Sequence, residues 1–246
     1  MDPLTKWTPA PEPLKLAPDS VHLWLASLDL SASSLPPLAA LLNPEESSRA
    51  TRFVQLRDQH RFTVARAVLR LLLARYLSCS PSAVLLQTGE FGKPVLAAEG
   101  RELPLHFNLA HSHGRALYAF ALSHELGVDI EWFRPEIASE EIAARYFSIR
   151  ERRELLSLPP ELRVEGFFNA WTRKESYIKA HGKGLQIPLD SFDVTLAPGQ
   201  PVVLHSSDAD RWRIYSFTPA ENFAAALTVE ASDAILNFHE ADSLLK

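Results

Sequence analysis

The chain has 246 residues, of which 46% are hydrophobic and 22% are charged, and its formal net charge is -5 at pH 7. This length suits one large domain or two small ones, and the composition is that of an ordinary globular protein. The acidic balance disfavours a broad nucleic-acid surface, and the longest apolar stretches are too short to cross a membrane. The single Cys79 excludes a disulfide framework, and the proline-rich start lacks the apolar core of a signal peptide, so the cytoplasm is the expected compartment.

The first half of the chain has the pattern of strands around one long helix. Residues 1–20 form an extended, proline-rich lead-in, and residues 21–30 alternate like a strand. Asn43 and Pro44 mark a helix start, and apolar residues recur at helical spacing over 57–76, with the arginines of that segment largely off the apolar face. Short strands are expected at 84–87, 94–97, 105–109 and 116–122.

The second half has a similar mixture of elements. A strand is expected over 127–132, and a long helix over 160–181 ends at Gly182. Shorter helices are expected at 139–146 and 149–156, and later strands at 192–196, 211–217 and 223–229. The predicted division is therefore a lead-in over 1–20, an N-terminal α/β half over 21–124 and a C-terminal α/β half over 125–246.

Two carboxylates stand out in the strand that opens the second half. Successive side chains of a strand point to opposite sides, so Asp129 and Glu131 project together while Val128 and Ile130 face the other way. Adjacent carboxylates repel each other and raise the pKa of one of them unless a cation lies between. Mg2+ suits such a pair, since it prefers oxygen ligands and keeps waters for a phosphate substrate. The plain alternative is a strand whose polar face is solvated.

A third carboxylate, Glu175, belongs to the long helix. It shares a helical stripe with Phe168, Thr172 and Lys179, so it is expected beside a large apolar face rather than out in water. The alternative is that Glu175 and Lys179 form a surface ion pair, which is worth only about 0.2–0.5 kcal/mol. Three carboxylates with nearby lysines together predict a site for a divalent metal and a phosphate.

Other polar residues are candidates for binding phosphate groups. Lys93 stands in a turn ahead of one strand, and another strand leads into a turn that carries His111 and His113. These two histidines could bind zinc, but no third ligand stands at a recognisable spacing. Arg57 and Arg61 lie one helical turn apart, and a solvated basic face is the alternative for that pair. Dinucleotide, P-loop, metalloprotease and esterase signatures are absent from the sequence.

The ordered motifs of the chain resemble those of the 4′-phosphopantetheinyl transferases, specifically the larger, Sfp-like class. The matching segments are FGKP (91–94), FNLAHS (107–112), GVDIE (127–131), WTRKESYIKAHGKGL (171–185) and PLDSF (188–192). The resemblance implies an α+β fold in which two similar α/β halves are related by a pseudo-two-fold axis. The chain departs from the family pattern at Ala110, where many relatives carry a serine.

The resemblance also implies an activity, which is transfer of the phosphopantetheine arm of coenzyme A to a serine of an apo acyl or peptidyl carrier protein. Adenosine 3′,5′-bisphosphate would be released. Asp129, Glu131 and Glu175 would hold Mg2+ against the pyrophosphate, and Lys179 would contact a phosphate. Glu175, or a water bound to the metal, would take the proton from the serine. The adenosine 3′-phosphate end of coenzyme A would be held by Lys93, Asn108, His111 and Arg57.

Two other functions stay open for the sequence. One is a non-catalytic module that binds coenzyme A or a carrier protein, and the other is a metal-dependent phosphohydrolase that acts on coenzyme A with water as the acceptor. A monomer is expected, since the pseudo-dimer already supplies both halves of the site, and neither nucleic acid nor membrane is an expected partner. The resemblance also implies that the carrier meets an apolar patch with a cationic rim, because carrier proteins are typically acidic around the modified serine. The sequence does not show which surface this is.

Overall fold

A computed structural model describes residues 4–89, 93–97, 104–182, 184–231 and 233–245. The helices within these residues are α1 (Leu35–Ala39), α2 (Pro44–Ala50), α3 (Leu56–Leu77), α4 (Glu140–Tyr146), α5 (Ile149–Ser157) and α6 (Pro160–His181). The strands are β1 (Ser20–Ser27), β2 (Leu86–Thr88), β3 (Pro94–Leu96), β4 (Leu105–Ser112), β5 (Arg115–Leu122), β6 (Leu126–Trp132), β7 (Asp193–Val194), β8 (Leu204–His205), β9 (Arg213–Phe217), β10 (Phe223–Val229) and β11 (Ile235–Glu240). The predicted α+β class is confirmed.

The strands form two main sheets. One has the order β11-β1-β5-β4 and the other has the order β6-β10-β9, while β2 pairs with β3 and β7 pairs with β8. Among the strands named above, each pairing is antiparallel except that of β11 with β1, which is parallel. The C-terminal strand therefore completes the sheet of the N-terminal half, which the sequence analysis did not predict.

The two halves repeat one arrangement of elements. In the first, β1 is followed by the 22-residue helix α3 and then by the hairpin β4–β5, and the sheet order is β1-β5-β4. In the second, β6 is followed by the 22-residue helix α6 and then by β9 and β10, and the order is β6-β10-β9. This shared order is the similarity between halves that was predicted.

The halves meet where β4 runs beside β6. The side-chain oxygen of Asn108 accepts the backbone N–H of Val128 at 2.9 Å, and the hydroxyl oxygen of Ser112 accepts the backbone N–H of Trp132 at 3.1 Å. Side chains therefore supply hydrogen bonds along this seam. Buried apolar residues of both sheets, among them Leu117 and Val128, pack into one cluster across it.

The long helices follow the sequence prediction closely, with one exception in the polar face of α3. Arg70 was placed off the apolar face, yet it is only 1% exposed. Its guanidinium donates to Glu46 at 2.6 Å and to the carbonyl oxygens of Pro81 and Val84. A charge this deep is tolerated because it is paired and hydrogen-bonded. No helix in the described part of the chain is long and apolar enough to cross a membrane.

Candidate active site

Gly127 brings strand β6 unusually close to helix α6. A Cβ atom at this position would lie 2.3 Å from the backbone nitrogen of Ala180 and 2.3 Å from the carbonyl oxygen of Ser176. Only glycine allows this approach without displacing the helix backbone. Because side chains two apart on a strand share a face, Asp129 and Glu131 are presented to the same side as Gly127, toward α6.

Asp129 is the most deeply buried carboxylate of the group, with 4% of its surface exposed. Its Oδ1 accepts a hydrogen bond from Lys179 Nζ at 2.6 Å. Its Oδ2 is buried and has no hydrogen-bond partner among the described residues. Burial raises the pKa of Asp129, and the ammonium of Lys179 opposes that rise. One carboxylate oxygen is thus free for another ligand.

Glu131 is held by two donors. Ser112 Oγ donates to its Oε2 at 2.8 Å, and a guanidinium nitrogen of Arg134 lies 3.3 Å from the same oxygen. Burial and the charge of Asp129 raise the pKa of Glu131, while the Ser112 hydrogen bond and Arg134 lower it. The hydrogen bonds fix one oxygen of this carboxylate.

Glu175 faces both of these carboxylates from α6. Burial raises its pKa to about 7, with further upward contributions from Asp129 and Glu131 and a downward contribution from Lys179. The side chain is half-buried, so it is not on a solvated face of the helix. The three carboxylates are therefore close enough to repel one another.

The arrangement is chemically suited to a divalent cation. Among the described residues, no group of three or more His, Cys, Asp and Glu side chains stands at the mutual spacing of metal ligands, and Lys179 is the cation that contacts Asp129. However, Asp129 Oδ2 has no hydrogen-bond partner among the described residues, and the charges of Asp129 and Glu131 repel that of Glu175. A hard cation with oxygen ligands would bind the oxygen and relieve the repulsion. The metal role of these residues stays a prediction.

Lys93 and Asn108 lie along the seam between the halves. Lys93 Nζ donates to the carbonyl oxygens of Leu126 and Lys179, each at 3.1 Å, and burial lowers its pKa. It lines a cavity of about 320 Å³ together with residues of β4 and the end of α6. Asn108 is 4% exposed, and its side-chain oxygen accepts a hydrogen bond from the N–H of Val128, so it links β4 to β6. Their coenzyme A roles stay predictions.

His111 and Arg57 are placed differently from each other. His111 lies near the end of β4 with an exposed surface. Partial desolvation by the surrounding protein lowers its pKa, and the charges of Lys179 and Arg61 lower it further. Arg57 has 69% of its side chain exposed, and its nearest carboxylate is Asp58 at 3.5 Å. Arg57 lines neither the cavity beside Lys93 nor the smaller one between α2 and the β2–β3 hairpin.

A small cavity beside this hairpin, which was not predicted from the sequence, is lined by two arginines and two glutamates. The guanidinium groups of Arg49 and Arg66 lie 5.5 Å and 5.6 Å from the ring centre of Phe62, and both arginines line a small cavity of about 40 Å³. Burial lowers the pKa of Arg66, the charge of Glu46 opposes that effect, and the charge of Arg49 adds to it. Helical periodicity alone could not show that arginines of two helices converge. The sequence analysis also missed the role of Ser112 in holding Glu131.

Lys174 has a structural role in holding helix α6. It is fully buried, and its Nζ lies 2.8 Å from Glu151 Oε1 and donates to the carbonyl oxygens of Leu189 and Phe192, both at 2.6 Å. Lys174 therefore ties α6 to α5 and to the turn that precedes β7. Phe91, Gly92 and Lys183, which belong to the matching motifs, lie outside the described residues.

Comparison with known proteins identifies the family. One family model, described as 4′-phosphopantetheinyl transferase, N-terminal, matches residues 30–124, and another, described as the 4′-phosphopantetheinyl transferase superfamily, matches residues 125–228. The 4′-phosphopantetheinyl transferase HetI of Nostoc sp. is 39% identical over 91% of this chain and 93% of its own. Sfp of Bacillus subtilis is 35% identical over 69% of this chain and 73% of its own.

The solved structures that match this chain cover a smaller part of it than the sequence relatives do. A holo-(acyl-carrier-protein) synthase from Bacillus anthracis superposes with a TM-score of 0.38 and 21% identity, covering 43% of this chain and 93% of that one. The family assignment therefore comes from the sequence matches, which extend over both halves and over nearly the full length of HetI. On these grounds the chain belongs to the 4′-phosphopantetheinyl transferase superfamily, as its ordered motifs indicated.

Proposed function

We propose that this protein transfers the 4′-phosphopantetheine arm of coenzyme A to a serine of an apo acyl or peptidyl carrier protein, with Mg2+ bound by Asp129, Glu131 and Glu175. The observation that carries the proposal is the convergence of these carboxylates with Lys179 from two elements, β6 and α6. Family membership supplies the reaction class. A bound Mg2+ would supply charge stabilisation for the oxygens of the coenzyme A pyrophosphate.

The side chains of the site suit the chemistry of the transfer. The serine oxygen forms a bond to the β-phosphorus of coenzyme A, and the bond between that phosphorus and the bridging oxygen breaks, which releases adenosine 3′,5′-bisphosphate. Glu175, or a water bound to the metal, would take the serine proton, directly or through one intervening water. Without a bound cation, burial raises the pKa of Glu175 to about 7. Lys179 lies beside Asp129, where its ammonium can stabilise negative charge that develops on the phosphate.

The adenosine end of coenzyme A requires cations at some distance from the carboxylates. His111 faces the site from the end of β4, and Lys93 lines the larger cavity. Arg49 and Arg66 line a small cavity next to β3, the strand that begins after Lys93, but Glu45 and Glu46 line it too and offset their charge. We assign the 3′-phosphate end to the side of Lys93 and His111, in preference to the exposed Arg57.

The test is intact-mass spectrometry of an apo acyl carrier protein after incubation with the protein, coenzyme A and Mg2+. We expect the carrier to gain the mass of one phosphopantetheine arm, and we expect EDTA or the substitution Asp129→Ala to abolish the gain. Glu221→Gln, which changes an exposed carboxylate on the loop before β10, is the matched control and should react like wild type.

Other outcomes of the same experiment separate the alternatives. Release of free phosphopantetheine with an unmodified carrier would identify a phosphohydrolase instead. Binding of coenzyme A with neither product, across several unrelated carriers, would identify a non-catalytic module. Full activity of Asp129→Ala at saturating Mg2+ would show that the metal assignment is wrong.

A further inference from the structure

The segment between α2 and α3 exposes an apolar surface that the fold does not use. Residues 51–57 are all exposed. Within them Val54 is 96% exposed, Leu56 is 64% exposed and Phe53 is 39% exposed, and Phe53 packs against the ring of Phe62 at 5.3 Å. Several large apolar side chains on so short an exposed segment indicate an interaction site, since they contribute little to the folded core.

This apolar surface has a cationic rim. Arg52 and Arg57 flank it on the chain and are exposed, and Arg57 lies 3.5 Å from Asp58, while the neighbouring Arg61 is paired with Asp29. The protein as a whole carries a formal net charge of -5, so Arg52 and Arg57 give this rim the sign opposite to that of the whole protein. A partner that fits this surface presents acidic side chains around an apolar ridge.

The surface is continuous with the site through the turn that joins β4 to β5. Asp29 accepts two hydrogen bonds from Arg61, each at 2.7 Å, and both Arg57 and His113 act on its charge. The glycine of the turn, Gly114, lies so close that a Cβ there would stand 2.2 Å from Asp29 Oδ2.

The same turn, through His113, also contacts the strand that carries Asp129 and Glu131. The ring of His113 stacks on that of Trp132 at 4.6 Å between centres and 16° between planes. Trp132 follows Glu131 on β6, and Ser112 bonds to both residues. A macromolecule seated on residues 51–57 therefore stands at the edge of the site.

We propose that Phe53, Val54 and Leu56, rimmed by Arg52 and Arg57, form the surface on which the carrier protein docks. This inference rests on the proposed function, because it is the carrier that must bring a serine to the site. The docking contact is apolar at its centre and electrostatic at its rim, so the rim sets the association rate and the apolar residues set the affinity.

A second exposed apolar surface, on α5, is a weaker candidate. Ile149 is 66% exposed and Leu156 is 47% exposed. Residues 140–156, which surround them, contain four arginines and four glutamates, so this region has no net charge to select an acidic partner.

The experiment compares Val54→Glu and Leu56→Glu with Val203→Glu, which places the same charge at a 41% exposed valine between β7 and β8. The measurements are the KM for the apo carrier, the KM for coenzyme A, and direct binding of the carrier to immobilised protein. We expect the patch variants to raise the carrier KM and dissociation constant at least about tenfold, with the KM for coenzyme A and the melting temperature unchanged. The Val203 variant should match wild type.

Salt provides an independent arm of the test. Carrier binding by wild type should weaken as salt rises, and the double variant Arg52→Ala/Arg57→Ala should bind more weakly at low salt and show a smaller salt dependence. Wild-type affinity of Val54→Glu and Leu56→Glu for the carrier would overturn the docking surface while leaving the transfer reaction intact. A loss of carrier affinity in Leu156→Glu instead would place the docking surface on α5. A wild-type protein that neither binds nor modifies any carrier would overturn both proposals.

Discussion

Individual charges in the site differ in how completely they are satisfied. Asp129 accepts a hydrogen bond from Lys179 on Oδ1, and its Oδ2 has no hydrogen-bond partner in the part of the chain that the structure describes. Glu131 accepts hydrogen bonds from Ser112 and Arg134. Glu175 has mainly desolvation and repulsion acting on it, which brings its pKa to about 7. Glu175 is thus the least stabilised as an anion of these three carboxylates when no cation is bound.

Replacing Glu175 by glutamine should stabilise the metal-free protein at alkaline pH. A raised pKa means that folded Glu175 keeps its proton between about pH 4.5 and pH 7 while the unfolded chain loses it, so stability falls as pH rises through this window. We expect Glu175→Gln to add about 1–3 kcal/mol at pH 8 and little at pH 4.5. Urea unfolding in EDTA at both pH values measures this, with Glu221→Gln as the control. Equal changes in unfolding free energy at the two pH values would contradict the raised pKa of Glu175.

Removing the hydroxyl of Ser112 should weaken the proposed binding of Mg2+. The hydroxyl orients Glu131 by donating to its Oε2, and partners behind a metal ligand are typically worth about tenfold or more in affinity. We expect Ser112→Ala to need about tenfold more Mg2+ for half-maximal thermal stabilisation, and Ser112→Thr, which keeps the hydroxyl, to stay near wild type. Thermal shift titrations without substrate measure this directly. An unchanged Mg2+ midpoint for Ser112→Ala would show that the hydrogen bond does not matter.

At the scale of elements, the placement of helix α6 decides the geometry of the site. The helix supplies Glu175 and Lys179, and β6 supplies the two other carboxylates. Gly127 sets the distance between these elements, while Lys174 anchors the opposite side of α6 through Glu151. The motif residues that do not touch the site therefore hold in place the elements that do.

Gly127→Ala should separate α6 from β6. The new Cβ would stand 2.3 Å from backbone atoms that cannot rotate away, and overpacking of this kind costs about 2–3 kcal/mol. Gly199→Ala is the control, since its φ of +73° strains an alanine but nothing lies within 4 Å, which predicts a loss of only about 1 kcal/mol. Urea unfolding compares the two variants. If Gly127→Ala lowered the free energy of unfolding no more than Gly199→Ala does, the close approach of β6 to α6 would be contradicted.

Lys174→Met should destabilise the fold and spare coenzyme A binding. The change leaves Glu151 as an unpaired buried charge, and breaking such a pair costs about 3–5 kcal/mol. The dissociation constant for coenzyme A, measured by calorimetry on folded protein, should stay at the wild-type value. Lys15→Met, at an exposed position of the lead-in, serves as the control. A large loss of coenzyme A affinity at unchanged stability would assign Lys174 to the ligand instead.

For the whole molecule, the ends of the chain meet the N-terminal sheet. Strand β11 pairs with β1, and the lead-in reaches it through a bridge between Thr8 and His239. His239 is 6% exposed, and neither of its ring nitrogens has a hydrogen-bond partner among the described residues. His22 lies beside it at 5.1 Å between ring centres, and burial with the neighbouring histidine lowers the pKa of His22 to about 4.

These two histidines should make the protein sensitive to acid. The folded state holds them neutral while the unfolded state takes up protons below about pH 6.5, so their contribution to stability is present above that pH and is lost as pH falls toward 4. We expect His239→Phe to reduce the loss of unfolding free energy between pH 7 and pH 5. His205→Gln, at an exposed histidine, should follow wild type. Identical pH profiles for His239→Phe and wild type would contradict this role.

The sequence by itself determined the features that depend on local pattern. Helical periodicity located α3 and α6, the two-residue period of a strand placed Asp129 and Glu131 on one side, and the ordered motifs indicated the family that the comparisons show. Only the tertiary structure decided which partners these groups have. The hydroxyl of Ser112 on Glu131, the burial of Arg70 and Lys174, and the addition of β11 to the first sheet join segments far apart in the chain. Such contacts depend on how the elements pack, and the spacing of residues within one element carries no information about that packing.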